Sequence, residues 1–264
     1  MYSQTACNGN THSSVPGLLD NNVTAHFAEI VAAPLAAARA AGIPFKIGEG
    51  NSISCGGRAG VSDVFAAALW AVDILFTAAA LGLQRWNFHG MPQGPYSAIA
   101  FAGASNVPQV RPLYYGLLAF AAATGSAGGS ARMLSTRTLA SSNEYLRCWS
   151  VWDAAANATR VVVLHKDPRA APGSSAAVTL STQGSGGALL SARGSLVRLA
   201  AGPKGMLAQW QDGITWQGQT WSGSADGTPA GAPASEAVTA DASGNFAFAL
   251  PAASLAVLTI DMAF

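Results

Sequence analysis

The sequence predicts an α/β region followed by an all-β region, and two observations carry that division. Up to Gly125, long helical runs alternate with short strands in the order α, β, α, β, α, the pattern of parallel strands joined by crossover helices. Beyond a Gly/Ser-rich stretch at Gly125–Ser130, short runs with a two-residue period and turn signals between them take over. That pattern points to an antiparallel β-sandwich. The expected domains are 1–127 and 128–264. A chain of 264 residues holds one large domain or two modest ones, and a hydrophobic content of 50% supports a well-buried core. Charged residues are only 10% and the net charge is +1, so there is no electrostatic footprint for nucleic acid or anionic lipid.

Residues 1–20 are polar and turn-rich and are expected to be loop. Asn22–Ala41 has a helical pattern, with Asn22 or Thr24 as its cap and Gly42 as its stop. Pro34 is expected to kink or split that helix. Gly42 and Pro44 then break the chain before a short strand, Phe45–Gly48. After a glycine-rich loop, Ser62 is expected to cap a helix with Asp63 in its first turn, running to about Leu81. Val64–Leu83 is apolar enough to be mistaken for a membrane span. Asp73 near its middle would cost about 2.5–3.5 kcal/mol in a bilayer, and a helix packed inside protein explains the same composition without that cost. No membrane span is expected. Leu83–His89 reads as the next strand, followed by a Gly/Pro-rich loop bearing Tyr96 and a helix from Pro112 to Gly125.

In the second region the strand-like runs are Glu144–Trp152, Thr159–His165, Ala176–Ser181, Ile214–Trp221, Asn245–Leu250 and Ser254–Ile260. Asp212-Gly213, Asp226-Gly227 and Ser243-Gly244 mark turns among them. Trp210, Trp216 and Trp221 could stack on sugar rings, although in alternating strands such residues are more often core.

Glu49 is one of four glutamates in the chain. Flanked by Gly48 and Gly50, it stands at the C-terminal tip of the first strand, the position from which catalytic groups of an α/β barrel point at substrate. A hydrogen-bonded carboxylate in an ordinary βα loop is the structural alternative. Three cysteines, Cys7, Cys55 and Cys148, make no disulfide framework; whether Cys7 and Cys55 meet depends on loops the sequence does not place. Asn22-Val23-Thr24 and Asn157-Ala158-Thr159 are glycosylation sequons, meaningful only in a secretory pathway. Met1-Tyr2-Ser3-Gln4 has neither the basic start nor the apolar core of a signal peptide. His12 and His26 lie apart from any cysteine pair with zinc spacing, and the CGG run is not a nucleotide signature, so neither metal nor cofactor is expected.

The run KIGEGNSISCGGRAGVSDVFAAALWAVDILFTAAALGLQRWNFHG, the helix PLYYGLLAFA, and the tail with TWQGQTWSGSADG and SLAVLTI resemble glycoside hydrolase family 79, the β-glucuronidase and heparanase-like enzymes. The resemblance implies the C-terminal part of a (β/α)8 TIM barrel followed by a C-terminal β-domain. It implies that Glu49, in Glu49-Gly50-Asn51-Ser52, is the nucleophile of a retaining glycosidase acting on β-linked glucuronides. Asn51, His89 and Tyr96 would hold the sugar and its carboxylate, and Tyr2 would be the remnant of an aromatic at the tip of strand six. Ser54 and Cys55 stand where some members have a second aromatic, so part of the sugar contact differs.

A retaining glycosidase needs an ionised carboxylate to attack the anomeric carbon and a protonated carboxyl about 5–5.5 Å away. Asp20, Glu29, Asp63, Asp73 and Glu144 are not at a strand tip beside Glu49. In the family the acid/base glutamate comes from the fourth strand, which would precede Met1. The chain is therefore expected to be a C-terminal fragment with little or no hydrolytic activity alone, and its parallel strands to have exposed edges. The competing reading is a non-catalytic carbohydrate-binding or accessory protein that keeps the β-domain. Partners would be glucuronide-containing carbohydrates, and the longer enzyme would be secreted or vacuolar/lysosomal if it carries a signal peptide.

Overall fold

The computed structural model describes residues 1–102, 107–125, 131–138, 141–171, 173–181 and 190–262. The expected domain boundary at 127/128 lies outside them. Residues 1–20, expected as loop, contain a strand β1 (Tyr2–Thr5), a 3-10 turn at Cys7–Gly9 and a short helix α1 (Val15–Leu19). Tyr2-Ser3-Gln4-Thr5 has no apolar alternation to mark β1 in the sequence; its extended form comes from parallel pairing with β2.

Helix α2 (Asn21–Ala40) is capped by Asp20, whose carboxylate accepts the Asn22 N–H, rather than by Asn22 or Thr24. It runs unbroken through Pro34. Pro34 stands on the exposed side, where water can take the carbonyl that loses its donor. Strand β2 is Lys46–Ser54, longer than expected, so Glu49 lies inside it rather than in a loop. Helix α3 is Ala66–Ala80 and β3 is Arg85–Phe88. Ser62 does not cap α3. Its hydroxyl accepts the Arg58 N–H and the Ser52 hydroxyl, closing the loop between β2 and the helix. A hairpin unseen in the sequence, β4 (Ile99–Ala102) with β5 (Val107–Val110), precedes α4 (Pro112–Thr124).

β1, β2 and β3 form a parallel sheet in that order. Among the described residues β1 and β3 each pair on one side only. The rest of the chain builds a larger antiparallel sheet from β6 (Ala131–Leu134), β7 (Leu146–Asp153), β8 (Ala158–His165), β10 (Leu190–Ala200), β11 (Thr215–Trp216), β12 (Glu236–Thr239) and β14 (Ser254–Met262). Its order is β11-β10-β14-β8-β7-β6, with β12 also on β10. β9 (Ser175–Ser181) and β13 (Asn245–Pro251) make a separate two-stranded ribbon. Of the expected strand Ile214–Trp221, only Thr215–Trp216 is extended; Trp216 turns back onto Gln219 at once.

The large sheet is covered on both faces. Val161, Val163, Leu196, Ala256, Leu258 and Ile260 pack against Val178, Phe246 and Leu250 of the ribbon. The alternate residues Val162, Leu164, Leu255 and Val257 join the core formed with α3 and α4. This double cover explains why β8 reads as a continuous apolar run, VVVL, where a one-faced strand would alternate.

Twelve of the fifteen residues of α3 are buried, against α1, α2, α4 and the large sheet. Phe76 stacks on Trp149 with centroids 5.1 Å apart and meets the edge of Phe120 at 4.8 Å. Gly116 lets α4 approach: a Cβ there would fall 2.5 Å from the Ala68 carbonyl oxygen. Asp73, the one acid in this helix, is itself buried. Its carboxylate lies 2.6 Å from Lys166 Nζ and 3.5 Å from Arg147 Nε, both from the β region, and Lys166 also donates to the Leu19 carbonyl at 2.8 Å. Burial pushes the Lys166 ammonium below the ordinary lysine range, and Asp73 opposes that push. Among the described residues no helix is long and apolar enough to cross a membrane.

Replacing Asp73 by Ala strands the buried Lys166 charge and is expected to cost about 3–5 kcal/mol. The double change Asp73→Leu with Lys166→Met should recover most of it. Urea unfolding midpoints of the three proteins check both expectations.

Candidate active site

The parallel sheet carries a bulge at the candidate nucleophile. Ile47 pairs with Trp86 and Gly50 with Phe88, so Gly48 and Glu49 together oppose Asn87 alone. One extra residue breaks the in-out alternation and re-aims a side chain, a role bulges commonly serve beside active sites. Glu49 is exposed in consequence, while Ile47 and Gly50 on either side are buried. Gly50 is required by close approach: a Cβ there would sit 2.6 Å from Trp86 Cζ2 and 2.7 Å from the Met1 carbonyl oxygen.

Four of the residues singled out in the sequence form one chain of hydrogen bonds. The Tyr2 hydroxyl donates to Glu49 Oε1 at 2.5 Å. It also lies 3.4 Å from His89 Nδ1, which is 2.6 Å from the Tyr96 hydroxyl. Tyr2 has a single proton, committed to the carboxylate, so the short Tyr96–His89 contact is the one that orients the imidazole. Asn51 stands behind them. Its amide donates to the carbonyls of His89 at 2.7 Å and Tyr96 at 3.0 Å, and its oxygen accepts the Ser52 N–H.

Burial separates these residues into two sets. Glu49 is exposed and Tyr2 and His89 are half-buried, whereas Asn51 and Tyr96 are each only 1% exposed. Of the residues expected to hold the sugar, His89 is thus the partly exposed one, with the Tyr96 hydroxyl on its ring and Asn51 on the backbone carbonyls of both. Trp216 and Trp221 are likewise buried, Trp221 against Tyr114 and Tyr115, and present no stacking platform.

The hydrogen bond from Tyr2 holds the Glu49 carboxyl below the ordinary glutamate range; partial desolvation opposes it, and His89 assists. The acid is thus ionised at neutral and mildly acidic pH. Desolvation, then the bond to Glu49, raises the Tyr2 phenol, so it stays protonated and able to donate. Among the described residues, none of the groups that act on Glu49 is a second carboxyl.

The strands are tied together by groups that sequence alone did not pair. Cys7 and Cys55 form a disulfide between the segments that follow β1 and β2. The Trp70 indole donates to Ser3 Oγ at 2.8 Å, fixing β1 on α3. Among the described residues no group of three His, Cys, Asp or Glu side chains is placed to hold a metal ion. Hollows of 520 and 790 Å³ lie on the β region around Asn143 and Asp167, away from Glu49.

Residues 148–257 match the glycosyl hydrolase family 79 C-terminal beta domain. The chain carries that domain. It begins in β7 and ends in β14, and it includes both layers that enclose the Val161–Val163 core. The resemblance drawn from the sequence motifs is borne out at this level. No curated protein sequence matches the chain. Among solved structures, a 4-O-α-L-rhamnosyl-β-D-glucuronidase from Fusarium oxysporum 12S superposes with a TM-score of 0.74 at 21% identity, covering 98% of this chain and 52% of that one. A GH51 arabinofuranosidase from Xanthomonas axonopodis pv. citri gives 0.62 at 14% identity, covering 97% and 51%. An α-L-arabinofuranosidase from Thermotoga maritima gives 0.61 at 12%, covering 98% and 51%. At these identities the likeness is one of fold. It extends over the Glu49 sheet as well as the family 79 domain, and the chain spans about half the length of these proteins.

Replacing Tyr2 by Phe removes the main cause of the Glu49 depression. A carbon-13 titration should then show the Glu49 midpoint rising toward the ordinary value of about 4.3. Because the folded value is depressed, the Tyr2–Glu49 bond stabilises the native chain above the unfolded pKa, and that contribution is lost as pH falls through the folded one. An unmoved midpoint would remove Tyr2 from this role.

Proposed function

We propose that the chain is the nucleophile-bearing, C-terminal part of a retaining glycoside hydrolase that acts on β-linked glucuronides. In this reading residues 1–127 are the closing part of a (β/α)8 barrel. The large sheet and its ribbon are the two layers of an antiparallel sandwich, within 128–264. The observation that carries the proposal is the exposed, ionised Glu49 carboxylate, held by the Tyr2 hydroxyl on a bulge of a parallel strand, in a chain that also carries the family 79 domain.

The chemistry follows from these groups. A Glu49 oxygen attacks the anomeric carbon as the glycosidic C–O bond breaks, giving a covalent glucuronosyl ester; water then cleaves that ester. Tyr2 donates to the carboxylate and keeps it ionised and oriented. His89, steadied by Tyr96 and by Asn51 behind the loop, offers a polar group to the sugar or its carboxylate. The proton for the leaving oxygen comes from a second carboxyl supplied by polypeptide outside residues 1–264. General acid catalysis contributes about 10²–10⁴-fold, so turnover of ordinary glucuronides by this chain alone is very slow. The Fusarium protein of similar fold is a glucuronidase, which supports a uronide as substrate. A purely carbohydrate-binding role draws no support from Trp216 and Trp221, which are core.

An activated substrate tests the nucleophile without the missing acid, because its leaving group departs unprotonated. Incubation with 2,4-dinitrophenyl β-D-glucuronide is expected to leave a glucuronosyl group on the peptide containing Glu49, detected by mass spectrometry and absent from Glu49→Gln. A label on another residue, or none, would overturn the assignment.

A further inference from the structure

The Cys7–Cys55 disulfide joins the ends of the two strands that carry Tyr2 and Glu49. Cys7 opens the 3-10 turn that follows β1, and Cys55 is the first residue after β2. Two side-chain contacts lie beside the bond: Ser54 Oγ donates to Thr5 Oγ1 at 2.8 Å, and Cys7 Sγ is 3.2 Å from Ser54 Oγ. Cys55 itself holds a φ of 58°, the left-handed region that residues with a Cβ occupy only when their surroundings impose it. β1 has four residues and pairs, among the described strands, with β2 alone. Besides the Tyr2–Glu49 bond, its side-chain ties include neutral hydrogen bonds, Ser3 to Trp70 and Gln4 to the Ser14 backbone.

We propose that Cys7 and Cys55 are positioning residues of this site: their bond keeps β1 in register so that the Tyr2 hydroxyl stays on Glu49, and a dithiol reductant releases it. The inference rests on the reading of Glu49 as the working carboxylate and adds a redox control to it. The exchange balances in two steps. A thiolate of the reagent attacks one cystine sulfur, forming a mixed disulfide while the other cysteine leaves as a thiolate and takes a proton. The second thiol of the reagent then displaces the remaining cysteine. The cystine gains two electrons and two protons, and the reagent becomes a disulfide. Cys148 takes no part, since its surroundings desolvate it and push its thiol up to about 11, leaving little thiolate.

The test reads the geometry rather than turnover. Carbon-13 glutamate-labelled chain, with Glu49 assigned through Glu49→Gln, is titrated oxidised, after dithiothreitol, and as Cys7→Ser/Cys55→Ser. The Glu49 midpoint is expected to rise in both altered forms to the value of Tyr2→Phe, and reduction of Tyr2→Phe itself to add nothing. Amide spectra of the β region report that the fold persists. An unmoved midpoint, with the free thiol count raised from one (Cys148) to three by the released pair, would overturn the proposal. So would collapse of the β-region spectrum on reduction, which would make the bond a global staple. If the midpoint moves while the activated glucuronide fails to label Glu49, the positioning role stands and the nucleophile assignment alone falls.

Discussion

Helix α3 has almost no free face, and the rest of the structure is arranged to satisfy that condition. Its apolar sides meet α1, α2, α4 and the large sheet. Its single charge, Asp73, had to be matched inside the core, and Lys166 reaches in from the β region to do so at 2.6 Å. A buried pair of this kind is weak evidence for net stability but strong evidence for register, because either partner alone would be an uncompensated charge. The same helix reaches the candidate site through Trp70, whose indole holds Ser3 of the strand bearing Tyr2. The position of the Glu49 partner thus depends on a helix packed on all sides.

The site uses little machinery. A one-residue bulge exposes a carboxylate that a regular strand would place by alternation, and Gly50 allows Trp86 and the Met1 carbonyl to crowd behind it. One phenol keeps that carboxylate ionised, while a buried asparagine fixes the loop holding His89 and Tyr96. Groups arranged this way suit the role proposed for Glu49, bonding to carbon rather than carrying a proton. Ionisation is what their hydrogen bonds favour.

Much of this was legible in the residues. Glu49 between two glycines at the end of an apolar run marked the strand, though β2 continues five residues past it to Ser54, and the charge of Asp73 inside an apolar helix separated core from membrane. The alternation of Asn245–Leu250 and the apolar run of Ser254–Ile260, which is buried on both faces, marked their strands. Other features left no local trace. β1 has no apolar alternation and owes its strand form to pairing with β2, so Tyr2–Thr5 read as loop. β10 contains Arg193, Gly194 and Arg198, and its strand character comes from pairing with β14 and β12 rather than from its own composition. Ser62 has the chemistry of a cap, yet its hydroxyl is engaged by Ser52 and Arg58. Asn51 carried a motif that suggested sugar contact, but burial turned its amide toward two backbone carbonyls. The Cys7–Cys55 pairing required knowing that β1 and β2 are neighbours, a long-range fact that spacing cannot supply.

Removing the carboxylate and offering a small anion in its place probes the central claim most directly. With Glu49→Ala and 2,4-dinitrophenyl β-D-glucuronide, added azide should accelerate release of the phenol and yield the α-glucuronosyl azide, since azide would enter along the path proposed for Glu49. A rate indifferent to azide, or a product of β configuration, would contradict the assignment of Glu49 as the group that bonds to the sugar.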